Sequence, residues 1–309
     1  MKKLSDEFLS KLKEEIKPWK GIPVAISGGI DSGILAALSK PEFVVSVRLP
    51  GGERYDEIKY AKQVSKSLKL KHIIVEADQK NFNRDMKLAV KAIGRPIPHF
   101  NIYPLWCMYK KLKEMGIKEI MLGDGPDETL CGYTRNLIMN YLYHAYDIEA
   151  FKYYAPTINK IIPNSLEEIV SMYAELTDKD YDEVHACMRG ESLIKGMNKV
   201  DMNLMRKDMD DMSNKIAKYF DIDNIRPYQD NPDFDRWQYE LPDEAKIHDI
   251  EYGKYVLRLI AEQYLPYDIA WRKHKVGGPV YPVGKMWGQD NEFDKHAYIE
   301  YQEKILNGK

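Results

Sequence analysis

Three groups of residues have the types and spacing to handle phosphate. The first is Val24–Gly33, VAISGGIDSG: an apolar stretch stops on Ser27, Gly28 and Gly29, and a carboxylate, Asp31, follows two residues later with Ser32 beside it. Glycine admits positive φ and lets the main chain approach a ligand. A helix starting there offers unpaired N–H groups and the positive end of its dipole. The hydroxyls of Ser27 and Ser32 add donors. Bare phosphate would repel Asp31, so the acid fits such a loop only with a cation between them, as in a magnesium–pyrophosphate complex. The spacing is not that of a Walker loop, G-x-x-x-x-G-K followed by Ser or Thr. A plain glycine-rich β–α turn carries the same pattern.

The second group is MLGDGPDETLCGYTR, residues 121–135, with Asp124, Asp127 and Glu128 inside five positions. Like charges this close repel and favour a bound cation; a solvated acidic turn is the alternative. Tyr133 and Arg135 follow, either packing or facing a pocket. The third group lies near the C-terminus: NIRPYQD at 224–230, then KYVLRLIAEQYLPYDIAWRKHKVGGP at 254–279, with Lys254, Lys273, His274 and Lys275. Any one of these lysines, taken alone, reads equally as a solvated charge. A histidine such as His274 makes a poor permanent cation for phosphate, since the ordinary imidazole is only partly charged near neutral pH.

The surrounding pattern supplies elements to hold these groups. Phe8, Leu9, Leu12 and Ile16 fall at helical spacing, and Pro18 stops that helix. IPVAIS, FVVSVRL, HIIVEA and EIMLGDG read as strands, separated by helical patterns at GILAALSK, 55–70, 81–93 and 103–115. Strands alternating with helices predict an α/β fold with a parallel, doubly wound sheet covered on both faces. Both phosphate-type motifs then sit at carboxyl ends of strands, where such sheets bind ligands. From about 134 to 265 the apolar residues keep helical spacing, so the C-terminal half is expected to be mainly helical, with TLCGYTRN as the seam. The division expected is 1–20, an N-terminal helix; 21–133, the α/β core; and 134–309, the helical region completing the active site.

The chain has 309 residues, 44% hydrophobic and 30% charged, with a net charge of −2, which fits a soluble globular protein and gives no positive excess pointing to nucleic acid. Cys107, Cys131 and Cys187 are scattered and odd in number, which argues against a disulfide framework and for a reducing compartment. The N-terminus is too charged for a signal peptide, and no apolar run reaches membrane-spanning length. A cytoplasmic protein without membrane partners is expected.

The run SGGIDS resembles the pyrophosphate loop of the N-type ATP pyrophosphatases, which cleave ATP between the α and β phosphates and activate an oxygen as an adenylate. GDGPDETLCGY narrows the resemblance to the synthetase domain of the asparagine synthetase family, with Pro126 where the family has a small residue. Lys254, Leu257, Arg258, Leu265, Pro266 and Arg272 fall into the family's later pattern. RPIPHFNIYPLWCMYKKLKEMGIKEIM, residues 95–121, also follows it. The likeness spans about 20–280 and makes the last 30 or so residues peripheral.

The resemblance implies an adenine nucleotide alpha hydrolase-like fold and ATP and Mg2+ as cofactors. It implies nucleotide contacts at Ala25, Ser27, Gly28, Gly29, Asp31, Ser32, Val47 (through its backbone, to adenine) and Gly123, with metal on Asp31 and Asp127. Asp124 would sit beside the substrate carboxylate and amine, and Lys254 would touch the phosphates. Lys275, with Lys273 and His274 as the other occupants of that position, would stabilise charge on the adenylate and on the amide-forming transition state. The expected activity is adenylation of a small carboxylate and transfer of the acyl group to ammonia or an amine. Residue 2 is Lys2 rather than the catalytic cysteine of a glutaminase, so nitrogen is expected from free ammonia, an amine, or a separate glutaminase or amine-carrying partner. A nucleobase- or tRNA-modifying enzyme of the superfamily would show a basic face or catalytic cysteines. A non-catalytic nucleotide-binding module would not need acids in both motifs.

Overall fold

The computed structural model describes residues 1–49, 57–144, 166–249, 251–273 and 294–308. The chain forms two compact units. One comprises Met1–Leu12, Asp124–Lys207 and Tyr228–Ile260; the other comprises Lys13–Gly123, Asp208–Pro227 and Ala261–Lys309.

The second of these is built on a five-stranded sheet ordered β3-β2-β1-β4-β5, with every neighbouring pair parallel. The strands are β1 (Val24–Ala25), β2 (Val44–Arg48), β3 (His72–Glu76), β4 (Glu119–Met121) and β5 (Asp223–Ile225). Strands buried on both faces read as unbroken apolar runs rather than alternations, which is why IPVAIS and FVVSVRL are legible. Between β1 and β4 run helices α1 (Ile30–Ser39), α2 (Ile58–Ser67), α3 (Phe82–Ile93) and α4 (Ile102–Glu114). In α3, Phe82, Met86, Ala89, Val90 and Ile93 are buried at three- and four-residue intervals, and Gly94, at φ 78°, ends the helix. These side chains share a core with Val45, Trp106, Tyr109, Ile120 and Ile216. The chain lays β2 and β3 on one side of β1, then crosses to place β4 and β5 on the other. That reversal beside β1 is where open parallel sheets bind ligands.

One expectation is corrected here, and one element is added. The mainly helical stretch 134–265 also gives a strand to the sheet: Asp223–Ile225 is its fifth, and Leu122 N–H donates to the Ile225 carbonyl at 2.9 Å. A three-residue edge strand is too short to leave a periodic signal. The last 30 residues are not peripheral. The helix Lys295–Leu306 buries Tyr298 and Ile305 in the same core, and Gln302 bonds both the amide and the carbonyl of Ile97 at 2.9 Å.

The other unit is mainly helical. It holds a short helix Pro126–Thr129 and longer ones at Thr134–His144, Leu166–Thr177, Tyr181–Met188 and Leu193–Val200, around a core that includes Cys131, Met139, Tyr173 and Met197. Residues Asp201–Met205 continue the last of these as a π-helical segment, a local widening that recurs at functional sites. A two-stranded antiparallel pair, Ile247–Asp249 with Tyr252–Gly253, completes it. None of the described helices is long and apolar enough to cross a membrane.

Candidate active site

In the sheet unit, β1 ends at Ala25 and the chain turns through Ser27–Gly29 into α1, with Gly29 in extended conformation as its cap. The first amides of a helix have no intrahelical partner, so the turn presents donors at the carboxyl edge of β1. Gly28 is obligatory. Its φ is +81°, and a Cβ there would lie 2.5 Å from the Ala61 amide nitrogen. Gly29 N–H donates to Ser27 Oγ and Ser27 N–H to Ser32 Oγ, both at 3.3 Å. Each hydroxyl is thus an acceptor within the loop and keeps its own proton to donate outward. Asp31 lies in the first turn, where the helix dipole favours a carboxylate, and it is buried. Gly123, just beyond β4, closes against the same turn: a Cβ on it would be 2.8 Å from Ser32 N.

Val47 lies in β2 opposite Val75 of β3. Val44 N–H donates to Lys71 of the β3 side and Val45 O accepts from Ile26 of the β1 side. Alternation along the strand therefore points the Val47 main-chain groups toward β1, beyond its last paired residue, Ala25. The strand edge there opens beside the loop.

In the helical unit, the acidic motif starts with exposed Asp124 and Gly125 at φ 113°, then turns into the helix Pro126–Thr129. Pro126 occupies the first helical turn, where a missing N–H costs nothing. Lys254 Nζ pairs with Asp127 Oδ1 at 2.8 Å, and the lysine side chain is 4% exposed. Two glycines make this pair possible. A Cβ on Gly132 would fall on Asp127 Oδ1 and Lys254 Cε, and one on Gly253 would fall on the Cys131 carbonyl. Lys254 N–H donates to the Leu130 carbonyl at 2.9 Å. Lys254 and Cys131 both hold positive φ, 56° and 57°, a conformation that costs a non-glycine residue roughly 1–3 kcal/mol and concentrates at functional sites.

Glu128 faces inward. Burial, and next the charge of Asp127, raise its carboxyl well above the ordinary carboxylate range, while a hydrogen bond from the Tyr133 hydroxyl and the Arg206 guanidinium oppose that rise. The same burial, with Glu128 beside it, raises the Tyr133 phenol. The Arg135 guanidinium stacks on the Tyr133 ring at 3.8 Å and donates to Asp201 Oδ1 at 2.6 Å. Asp201, fully buried in the π-helical segment, also accepts from Asn136 at 3.0 Å and from the Tyr173 hydroxyl at 3.0 Å. Burial alone would lower the Arg135 pKa, and the Asp201 charge outweighs it. Arg206 donates to the Gly125 carbonyl at 3.3 Å and to Asp235 at 2.8 Å.

Sequence reading named Asp127, Lys254, Tyr133 and Arg135. It passed over Asn198, Asp201, Arg206 and Lys246, whose neighbours in the chain carry no motif, and it assigned no role to Gly132 within the acidic motif. Lys273 is exposed. Lys275 and His274 lie outside the described residues.

Among the described residues no group of three or more His, Cys, Asp or Glu side chains surrounds one metal position. Magnesium is commonly held by one or two carboxylates plus substrate phosphates, and each unit offers such a carboxylate: Asp31 in the first turn of α1 and Asp127 beside Lys254.

The chain is similar to known proteins. Over 277 residues the chain is 22% identical to asparagine synthetase B (glutamine-hydrolyzing) of Escherichia coli, covering 81% of this chain and 39% of that protein. Over 118 residues it is 27% identical to a putative asparagine synthetase 1 (glutamine-hydrolyzing) of Methanocaldococcus jannaschii, covering 37% of this chain and 22% of that protein. The chain thus spans well under half the length of these curated relatives. The family model for asparagine synthase matches residues 22–305, nearly the whole chain, and the chain belongs to the asparagine synthase family.

Proposed function

We propose that the protein is an ATP-dependent, AMP-forming ligase that makes an amide from a small carboxylate and ammonia or an amine. The observation that carries this reading is the Lys254–Asp127 pair: the two family motifs supply one residue each, and the intervening glycines leave room for nothing larger. The phosphate loop supports it with a turn only glycine can make and an acid in the first helical turn.

In the first step a carboxylate oxygen of the substrate attacks the α-phosphorus of ATP. A P–O bond forms, the bond to the β-phosphate oxygen breaks, and pyrophosphate leaves with its electron pair. The backbone of the Ser27–Gly29 turn and the outward hydroxyl protons of Ser27 and Ser32 bind the leaving phosphates, Val47 reads adenine through its backbone, and Lys254 offsets the developing charge. Asp31 and Asp127 would hold magnesium, which when bound shields carboxylates and phosphates from each other. In the second step the amine nitrogen attacks the acyl carbon, AMP departs, and the nitrogen loses a proton. Asp124 orients the amine, and Lys275 stabilises the tetrahedral oxyanion. The helical region after residue 134 supplies the residues that select the acceptor.

Purified protein given ATP, magnesium, aspartate and ammonium should yield AMP, pyrophosphate and an amide identifiable by mass spectrometry. ADP and inorganic phosphate would overturn the reading. An amide formed only with one particular amine would redefine the product.

A further inference from the structure

Beneath the acidic motif lies a polar cluster with no part in the chemistry above. Lys246 and Asn198 are both fully buried. Lys246 Nζ donates to Asn198 Oδ1 at 2.9 Å and to the Tyr239 carbonyl at 2.6 Å, with the Tyr239 ring 5.2 Å away. Asn198 Nδ2 donates to the Glu128 carbonyl at 2.7 Å and reaches Cys131 Sγ at 3.4 Å. A lysine ammonium only donates, so the asparagine atom facing it has to be the oxygen. That fixes the amide flip and leaves both N–H groups for the motif.

A buried ammonium is expensive to desolvate. Burial lowers the Lys246 pKa to about 8, against weaker support from Cys131 and Asp243. Covering the motif would not require a charge, since an apolar side chain of similar volume would fill the space. What the ammonium adds is direction: it dictates which end of Asn198 meets Glu128. The Glu128 carbonyl belongs to the short helix carrying Asp127, so the bond anchors that helix from below.

We infer that Lys246 and Asn198 are positioning residues: Lys246 orients the Asn198 amide, and Asn198 holds the Pro126–Thr129 helix so that Asp127 stays in register with Lys254. This rests on the function proposed above, and the experiment separates the two. Asn198→Asp keeps an acceptor for Lys246 and removes the donor to Glu128. Lys246→Met keeps the volume and removes the ammonium, and serves independently should the first variant fold poorly. Lys195→Met, which breaks the exposed pair with Glu240, is the control.

Hydrogen–deuterium exchange of the peptide covering 126–132 should accelerate about tenfold in both variants, as loss of a single hydrogen bond predicts. The strand at 44–48 and the control should be unchanged. Pyrophosphate release should show a lower kcat with the KM for ATP retained. Unchanged exchange in the folded variants would overturn the inference. So would equal acceleration in the sheet, which would mark a general stability role, and so would faster local exchange with full kcat. If the wild-type protein releases no pyrophosphate, the proposed function fails, and the exchange data still decide whether the pair anchors the motif.

Discussion

The phosphate loop and the acidic motif hold their shapes by different physics. The loop is shaped by its own residues. Ser27, Gly29 and Ser32 bond one another within six residues, and Gly28 turns where no side chain fits. The acidic motif is held by side chains that arrive from far along the chain: Lys254 on Asp127, Arg206 on the Gly125 carbonyl, Asn198 on the Glu128 carbonyl, and the Arg135–Asp201 pair behind Tyr133. Backbone geometry tolerates little and needs few partners. A buried polar network can be altered one partner at a time, and each loss leaves another group unsatisfied.

The largest expected effect tests whether both regions serve one reaction. Asp31→Asn and Asp127→Asn should each lower pyrophosphate release by about 10²–10³ or more, the scale of losing one electrostatic contact to the transition state, with circular dichroism unchanged. Full activity in either variant would detach that region from the chemistry.

Next come the glycines. Gly28→Ala meets backbone and forces a side chain into positive φ, which should cost about 1–3 kcal/mol of stability, read as a lower urea midpoint. Gly132→Ala drives into the side-chain ends of Asp127 and Lys254 and comes within 2.8 Å of Asp127 Cα, but it forces no side chain into positive φ. It should change the midpoint less and still remove most activity. The reverse order of stability losses would contradict the contrast drawn above.

The two regions should also respond oppositely to pH. His99, in the sheet unit, has its pKa pushed down to about 4 by burial. The unfolded chain takes up that proton near 6.5, so the contribution is intact above 6.5 and is lost as pH falls toward 4. Glu128 is raised from its ordinary 4.5 to about 7 by burial and Asp127. Its contribution is intact below 4.5 and is lost as pH rises through about 7. Urea unfolding from pH 4 to 8 should therefore show a weaker acid-side slope in His99→Gln and a weaker slope on the neutral side in Glu128→Gln. Matching slopes in variants and wild type would remove these two groups from the account.

The smallest effect is at Asp211, which pairs with Arg95 and Lys215 at 2.9 and 3.0 Å on the surface. Asp211→Asn should cost at most about 1 kcal/mol and leave turnover unchanged. A large loss of turnover would extend the functional region into the helix Arg206–Tyr219.

The sequence alone determined the alternation of strand and helix, the parallel sheet and the glycine turn after β1. Those follow from neighbours a few residues apart, through side-chain periodicity and the allowed φ of glycine. It also marked Asp127 and Lys254, because each stands in a motif of its own. Tertiary structure decided the rest. That Asp223–Ile225 closes one edge of the sheet, that the C-terminal helix packs on Ile97, and that Asn198, Asp201 and Lys246 lie buried against the acidic motif all depend on contacts between distant segments. In the chain, Asp201 stands among Val, Met and Asn and Lys246 among Glu, Ala and Ile, with no motif at either. A buried charge betrays itself by the partner that compensates it, and that partner is chosen by packing, which leaves no period in the sequence to read.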